Sequence, residues 1–307
     1  MTCARLSSLT EPWIVTPGAI RSVRTNILDI AYEEVGPTAG EPIVLVHGWP
    51  DSVRTWDTVV PALVDAGYRC LMPYLRGCGP TRFLESSVRR SGQATALAQD
   101  LKDFVDALQL KQFVLVGHDW GAFAAYLFAA NWPEQVQQLI VLSVGYGINN
   151  PNRLPTLPQA QAFWYQWFFQ TQQAPLALEN DRRAFCQFIW QQWMAPGHFN
   201  QQQFEATAPA WDNPDWVAVT LHYYRHRWGN VFGDPQYDAL EVSRLLPPPI
   251  RMPTCLIHGA QDGCILPVTT EGKEGLFTAG YERRLLPNVG HFPQREQPAT
   301  VIAAILE

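Results

Sequence analysis

The chain has 307 residues, of which 47% are hydrophobic and 16% charged, so it can bury a large core as one domain with an insertion or as two small domains. Its formal net charge of −6 gives no reason to expect nucleic acid or an anionic membrane surface as a partner. No apolar run approaches the roughly 20 residues that a membrane-spanning helix requires.

The N-terminal segment, Met1 to Ile20, has neither a basic start nor an apolar stretch, so it does not have the pattern of a signal peptide. Six cysteines are scattered along the chain without a C-x-x-C pair: Cys3, Cys70, Cys78, Cys186, Cys255 and Cys264. Unpaired thiols in a cytoplasmic protein are the expected state. A bridge between Cys255 and Cys264 is an alternative that the sequence leaves open.

Short apolar strands alternate with amphipathic helices along most of the chain. Strands are predicted at 43–46, 69–72, 113–116, 139–144, 255–257 and 283–286. Apolar residues recur at helical spacing from Trp56 to Val64 and from Leu97 to Leu108. Continuous apolar strands separated by helices indicate an α/β fold with a mostly parallel sheet that helices cover on both faces.

The strand at 113–116 runs directly into Gly117-His118-Asp119-Trp120-Gly121, and a helix of small apolar residues follows. A strand, a glycine-flanked turn and a helix form the context of a nucleophile elbow, which projects one side chain from a parallel sheet. Esterases carry serine there, but this chain carries Asp119. A carboxylate that attacks sp³ carbon leaves an alkyl ester that is hydrolysed later. The motif therefore indicates epoxides or alkyl halides as substrates.

The alternation of strands and helices stops between about Gly147 and Trp228, a segment that holds seven of the twelve tryptophans. It resumes after the proline run at 247–249. We interpret residues 147–228 as a helical cap, or lid, inserted into an α/β core that is formed by residues 1–146 and 229–307.

Two further candidates follow predicted strands beyond the cap. Asp262 lies in a loop after the strand at 255–257, and His291 follows the strand at 283–286. Both loops are expected at the carboxyl edge of the sheet, where Asp119 also lies. Asp262 would orient the imidazole of His291, which would take a proton from the water that attacks the alkyl ester. The order nucleophile, acid, histidine matches the elbow.

The attack on the ester also needs donors for the developing oxyanion. The backbone N–H of Trp120 follows the nucleophile, and the loop His47-Gly48-Trp49-Pro50 after the strand at 43–46 offers the N–H of Trp49. His47 and His118 belong to the two turns, and we expect them to brace the loops rather than to transfer protons.

These motifs together, with Arg76-Gly77-Cys78-Gly79, resemble the α/β-hydrolase-fold epoxide hydrolases over nearly the whole chain, from about Arg24 to Glu307. The aspartate elbow is shared with haloalkane dehalogenases, which often carry a halide-binding Asn where this chain has Trp49, although some use a cap Trp instead. The H-G-x-P loop is typical of epoxide hydrolases and of fluoroacetate dehalogenases. One departure is Tyr74, where the family usually has an aspartate.

The resemblance also assigns two acids that would protonate the epoxide oxygen. Tyr165 precedes Gln166 in the cap, and Tyr224 precedes Arg225, as the two catalytic tyrosines do in that family. The substrate pocket is expected to be lined by six residues: Trp49, Trp120, Trp164, Gln166, Trp167 and Phe292.

The sequence thus predicts an epoxide hydrolase that converts a small hydrophobic epoxide and water to a vicinal diol without a cofactor, as a monomer or homodimer. A dehalogenase that uses the same nucleophile is the first alternative, and a non-catalytic binder on this fold is the second. His222 and His226 lie one helical turn apart, but they lack the glutamate of a zinc-binding H-E-x-x-H, so no metal is predicted.

Overall fold

The computed structural model describes residues 19–152 and 154–307, and this part of the chain forms one sheet of nine strands. The strands are β1 (Ile20–Arg24), β2 (Leu28–Val35), β3 (Glu41–Val46), β4 (Tyr68–Pro73), β5 (Arg82–Phe83), β6 (Phe113–His118), β7 (Val136–Leu142), β8 (Thr254–Gly259) and β9 (Tyr281–Leu286). Their order across the sheet is β1-β2-β4-β3-β6-β7-β8-β9, with β5 paired to β2. All pairs from β4 to β9 are parallel, so the predicted mostly parallel sheet is confirmed.

Eleven α-helices occur in the described residues. They are α1 (Val60–Asp65), α2 (Ala94–Ala107), α3 (Trp120–Asn131), α4 (Leu157–Ala162), α5 (Trp164–Phe168), α6 (Gln173–Trp193), α7 (Gln201–Thr207), α8 (Trp216–Arg227), α9 (Asp238–Leu245), α10 (Pro293–Glu296) and α11 (Pro298–Leu306). The parallel strands lead into helices that cover the sheet, as their unbroken apolar sequences predict. β6, for example, is buried along its whole length.

Two features differ from the sequence-based expectation. The helical face predicted from Trp56 to Val64 divides into a short 3₁₀ helix, Val53–Trp56, and helix α1, which begins beside Pro61. The antiparallel strands β1, β2 and β5 were not predicted. Charged residues interrupt the apolar pattern of β2, and one of them, Glu33, is buried because it accepts a hydrogen bond from the Tyr74 hydroxyl at 2.9 Å and pairs with Arg54.

The described residues between 147 and 228 form helices and loops without strands. Helices α5, α6 and α8 of this segment contact the loop after β3, which lies at the carboxyl edge of the sheet. Trp190 Nε1 donates to the Pro50 carbonyl at 2.8 Å, and Trp49 Nε1 donates to Thr220 Oγ1 at 3.0 Å. We infer that residues 147–228 act as the cap over a core that is formed by residues 1–146 and 229–307.

The cysteines of the described chain are buried free thiols, and Cys255 and Cys264 do not form a bridge. Cys3 and residues 1–18, on which the prediction about a signal peptide rests, lie outside the described residues. None of the helices in the described ranges is both long enough and apolar enough to span a membrane.

Candidate active site

The turn between β6 and α3 holds Asp119 in a backbone conformation that is rare for residues other than glycine, with φ 49° and ψ −116°. Two glycines allow this turn. A Cβ at Gly117 would lie 2.6 Å from the Gly121 carbonyl oxygen, and one at Gly121 would lie 2.3 Å from the Val46 carbonyl oxygen. Backbone strain of this kind persists where the surroundings enforce it, and it clusters at active sites.

The Asp119 carboxylate receives a backbone donor from the loop after β3. The N–H of Trp49 donates to Asp119 Oδ1 at 2.8 Å. The N–H of Trp120, the other predicted oxyanion donor, makes no such bond in the described chain, although it belongs to the first turn of α3, where N–H groups have no helical partner. Burial raises the pKa of Asp119, but hydrogen bonding and attraction from His291 outweigh it and lower the pKa below its ordinary value.

The loops after β8 and β9 bring Asp262 and His291 together. His291 Nδ1 lies 2.8 Å from Asp262 Oδ2, and both side chains are fully buried. The other carboxylate oxygen, Oδ1, accepts the backbone N–H groups of Cys264 and Ile265 at 2.7 and 2.9 Å. Burial raises the pKa of Asp262, but His291 and His258 outweigh it and hold this pKa well below its ordinary value. The ionised carboxylate fixes the proton of His291 on Nδ1.

The second imidazole nitrogen of His291 faces Asp119. Its Nε2 lies 3.5 Å from Asp119 Oδ2, which is too long for a normal hydrogen bond, and it has no other partner among the described residues. Burial lowers the pKa of His291, but the two carboxylates, Asp262 and Asp119, outweigh it and raise the pKa from 6.5 to about 10. In the resting site His291 is therefore protonated at neutral pH.

Other histidines and one serine fix the loops. His118 Nε2 and Ser143 Oγ both donate to the His291 carbonyl oxygen, at 2.8 and 2.7 Å. Burial lowers the pKa of His118 to about 4, so its ring is neutral. His47 Nδ1 donates to the Gly48 carbonyl at 2.8 Å, and its Nε2 accepts a backbone N–H at 3.1 Å. These contacts match the bracing role expected of the two turn histidines.

The cap brings Tyr165 and Tyr224 next to each other, with ring centres 5.2 Å apart and 1% of each residue exposed. Gln166 Nε2 donates to the Tyr165 hydroxyl at 2.7 Å, and Trp120 Nε1 donates to the Tyr224 hydroxyl at 3.1 Å. Both phenol oxygens thus act as acceptors, and the Tyr165 hydroxyl also lies 3.5 Å from Cys264 Sγ, a contact in which either atom can be the donor. Burial raises both phenol pKa values well above 10, so the two hydroxyls are protonated.

The residues expected to line the pocket fall into two groups. Trp49 stacks on Tyr165 with ring centres 5.7 Å apart and lies edge-on to Tyr224 at 5.3 Å. Trp120 also lies edge-on to Tyr224, and Gln166 contacts Tyr165 through the hydrogen bond to its hydroxyl. These three residues surround the phenols.

The other three residues that were expected to line the pocket do not lie next to the hydroxyl groups of Tyr165 and Tyr224. They are Trp164, Trp167 and Phe292. Trp167 is 37% exposed and donates to the Ala160 carbonyl, and Trp164 donates to Gln192 on the outer side of the cap. Consecutive positions of the short helix α5 point in different directions, so only Tyr165 and Gln166 are buried. Phe292 is completely buried, and its ring packs against Trp193 and the imidazole of His291.

Several contacts of the site were not found from the sequence. His258 Nε2 lies 2.9 Å from Asp262 Oδ2, and Cys264 Sγ lies 3.5 Å from the Tyr165 hydroxyl. Trp193 packs edge-on to His291 with ring centres 4.9 Å apart. The spacing of His258 four residues before Asp262 was a visible signal, whereas Trp193 comes from the far end of α6 and had none.

The two histidines of α8 lie away from these groups. The rings of His222 and His226 stack with centres 5.7 Å apart, and His222 Nδ1 accepts the Gly92 N–H at 3.0 Å. The described residues contain no group of three or more side chains arranged to hold a metal ion.

Gly48 provides a direct test of how closely the loop after β3 fits Asp119. A Cβ at Gly48 would lie 2.5 Å from Asp119 Cβ and 2.8 Å from its Oδ1, so Gly48→Ala must displace the carboxylate. We expect kcat/KM to fall about 100-fold, because small misplacements of reacting groups cost that much.

Gly275→Ala is the matched control, since a Cβ there meets no atom within 4 Å. Circular dichroism of both variants separates a displaced nucleophile from a lost fold. A folded Gly48→Ala variant with wild-type kcat/KM would contradict this close fit.

The alpha/beta hydrolase fold family matches residues 41–298 of the chain. Among curated proteins, the chain is 27% identical to Epoxide hydrolase A of Mycobacterium tuberculosis, over 94% of this chain and 96% of that protein. It is 29% identical to the epoxide hydrolase of Caballeronia sordidicola, over 91% of this chain and 90% of that protein.

The solved structures similar to this one include a Klebsiella pneumoniae protein that is provisionally assigned as an epoxide hydrolase. The two chains are 39% identical, with a TM-score of 0.88 over 94% of this chain and 96% of that one. A Salmonella enterica protein provisionally assigned as an acyltransferase has a TM-score of 0.78 at 24% identity, covering 96% of each chain, and this likeness concerns the fold alone.

Proposed function

This chain belongs to the alpha/beta hydrolase fold family and to its epoxide hydrolase branch, and on that premise we propose that it hydrolyses an epoxide to a vicinal diol through an ester on Asp119. The observation that carries the proposal is the pairing of an ionised aspartate elbow with two protonated phenols. Tyr165 and Tyr224 each accept a hydrogen bond from a neighbour, and each would donate its own proton to the substrate.

In the first half-reaction, Asp119 Oδ2 attacks an epoxide carbon, and the ring C–O bond breaks. Oδ1 is held by the Trp49 N–H, which leaves Oδ2 as the free nucleophile. The electron pair of the broken bond goes to the ring oxygen, which takes a proton from Tyr165 or Tyr224. The products are a hydroxyalkyl ester of Asp119 and a phenolate.

In the second half-reaction, His291 first releases the Nε2 proton that it carries in the resting site, and water then attacks the ester carbonyl carbon while the neutral Nε2 takes its proton. The negative charge develops on Oδ1, which already receives the Trp49 N–H at 2.8 Å. When the tetrahedral intermediate collapses, the bond between the carboxyl carbon of Asp119 and the alkyl oxygen breaks, and that oxygen leaves with the product and receives the proton from His291. The phenolate takes up, through solvent, the proton that His291 released after ester formation. The carboxyl proton left on Asp119 returns to His291, and the sum is epoxide plus water to diol.

The dehalogenase alternative needs donors for a departing halide. The indole N–H groups of Trp49 and Trp120 are engaged within the protein, since Trp49 Nε1 donates to Thr220 and Trp120 Nε1 donates to Tyr224. Trp193, whose ring packs on His291 and Tyr165, has an indole N–H without a partner among the described residues. The preference for an epoxide therefore rests on the two phenols, whose protons suit an epoxide oxygen.

The test is to assay diol formation from styrene oxide alongside bromide release from a bromoalkane of similar size. We expect diol formation without bromide release, and neither in Asp119→Ala. Bromide release without diol would support the dehalogenase, and a folded protein inactive on both substrates would support the binder.

The two half-reactions also make a prediction about pH. Formation of the ester removes the charge of Asp119, so one of the two carboxylates that raise the pKa of His291 is lost while burial remains. Asp119→Asn imitates this neutral state, and we expect the pKa of His291 in it to lie below the value of about 10 in the wild type.

Nitrogen chemical shifts of the His291 ring, followed by NMR across pH, measure this difference. Ester hydrolysis should then become faster as pH rises through the lowered pKa, because only the neutral imidazole accepts a proton. An unchanged His291 pKa in Asp119→Asn would remove this account of how the base is generated.

A further inference from the structure

Arg227 is the last residue of cap helix α8 and is only 6% exposed. It forms no hydrogen bond or ion pair with any residue in the described ranges. The guanidinium has five N–H donors and no acceptor capacity. A buried charge without a partner is strongly unfavourable. Structural arginines of this chain are satisfied, as Arg76 is by Asp100 with two bonds of 2.6 Å.

Aromatic rings surround the Arg227 guanidinium. Its central carbon lies 4.9 Å from the Phe163 ring centre, 5.4 Å from Trp228 and 5.5 Å from Phe123. Such rings stabilise a cation through their faces, but they cannot accept its N–H groups in a fork as a carboxylate does. The planar edge of the guanidinium is therefore left for an oxygen ligand.

This cation lies beside the catalytic groups. Arg227 follows Tyr224 by three residues on α8, so the two side chains share one side of the helix. Trp228, whose ring contacts the guanidinium, donates to Gln166 Oε1 at 2.9 Å, and Gln166 in turn holds the Tyr165 hydroxyl. Burial lowers the pKa of Arg227, and the ionisable groups that oppose this are Tyr165, Tyr224, Cys264 and Asp119.

We propose that Arg227 binds a carboxylate on the substrate, so that the preferred epoxides carry an acid group at a distance from the ring. The inference rests on the proposed function, because the carboxylate must orient an epoxide toward Asp119. One guanidinium matches one carboxylate through two parallel N–H···O bonds. The aromatic surroundings bind the apolar chain between the acid and the epoxide.

The first test compares terminal epoxides of hexanoate, heptanoate and octanoate with the corresponding carboxamides, which have the same shape without the charge. We expect kcat/KM of the acid to exceed that of the amide about tenfold or more at the chain length that fits. A wild-type enzyme that hydrolyses acids and amides equally at every length would overturn the inference and leave the proposed function intact.

The second test uses the ratio of acid to amide kcat/KM within each variant, so that partial loss of folded enzyme cancels. The ratio should fall to about one in Arg227→Met, while Arg227→Lys should keep part of it, because lysine supplies charge without the planar fork. Arg183→Met is the matched control, since Arg183 is an exposed cap arginine paired with Glu205. A preference retained in Arg227→Met, or lost equally in Arg183→Met, would overturn the assignment.

A binding measurement separates this site from the reaction. Hexanoate should stabilise the wild type against thermal unfolding more than hexanamide does, and this difference should disappear in Arg227→Met. If no epoxide is hydrolysed, the proposed function fails, and the hexanoate result alone decides the anion site. Equal effects of hexanoate on the wild type and Arg227→Met would overturn that site.

Discussion

Replacing His291 by glutamine is expected to leave an enzyme that opens its epoxide once and then stops with the substrate bound to Asp119. The nucleophile and the two phenols remain in place, so the ester still forms. The base that takes the proton from water is absent, so the ester persists. The charged form of His291, 3.5 Å from Asp119, also helps to keep this buried carboxylate ionised, and we therefore expect the first step to be slower than in the wild type.

Intact-protein mass spectrometry measures this trapped state. One substrate mass should be added per chain without loss of water, and peptide mapping should locate it to the segment that contains Asp119. An alkyl halide would add its mass less hydrogen halide, so the same shift distinguishes the two chemistries. Asp119→Ala is the control and should acquire no adduct.

Normal turnover by His291→Gln would require another base and would contradict the role given to the histidine. An adduct formed equally in Asp119→Ala would place the covalent bond on a different residue. In either case the two-step mechanism would have to be abandoned.

Removing the hydroxyls of both cap tyrosines is expected to produce the second-largest loss. Tyr165→Phe and Tyr224→Phe should each reduce kcat/KM by about 10–150-fold, because a charge-assisted hydrogen bond to the developing alkoxide is worth about 1.5–3 kcal/mol. The double variant should lose about 100-fold or more, since no acid remains beside the ring oxygen. The rate of adduct formation measures this effect directly in a His291→Gln background.

Tyr223→Phe supplies the matched control. Tyr223 is the buried neighbour of Tyr224 on α8, and its ring stacks on Trp120 with centres 4.4 Å apart, without a hydrogen bond from its hydroxyl in the described chain. It should react at close to the wild-type rate. Full epoxide turnover by the double Tyr165, Tyr224 variant would show that the acid comes from elsewhere.

The sequence predicted the central sheet and the order of the candidate catalytic groups because both depend on local patterns. Apolar runs marked the parallel strands from β3 onward, and glycines marked the elbow around Asp119. Asp262 and His291 were found because each follows a strand at the same edge of the sheet. Strand β2 was missed because its buried charges, such as Glu33, are satisfied only by partners distant in sequence.

The cap was predicted less completely, because its side chains are sorted by packing rather than by spacing. Trp164 and Trp167 are as aromatic as Tyr165, and only the fold shows that they lie toward the outer face of the cap. Arg227 shows the opposite error, because a residue that the sequence places in solvent is buried in the structure. Its sequence context is that of a solvated helix end, and its lack of a partner is visible only when the surrounding rings are in place.

The burial of the candidate catalytic groups has a consequence for binding. Asp119, Tyr165, Tyr224 and His291 are each at most 3% exposed, so we propose that a substrate reaches them in a state in which the cap has separated from the core. The apparent dissociation constant then equals the intrinsic one divided by the open fraction. Contacts that hold the cap closed, such as Trp190 on Pro50, thus weaken apparent affinity while they keep the reacting charges out of water.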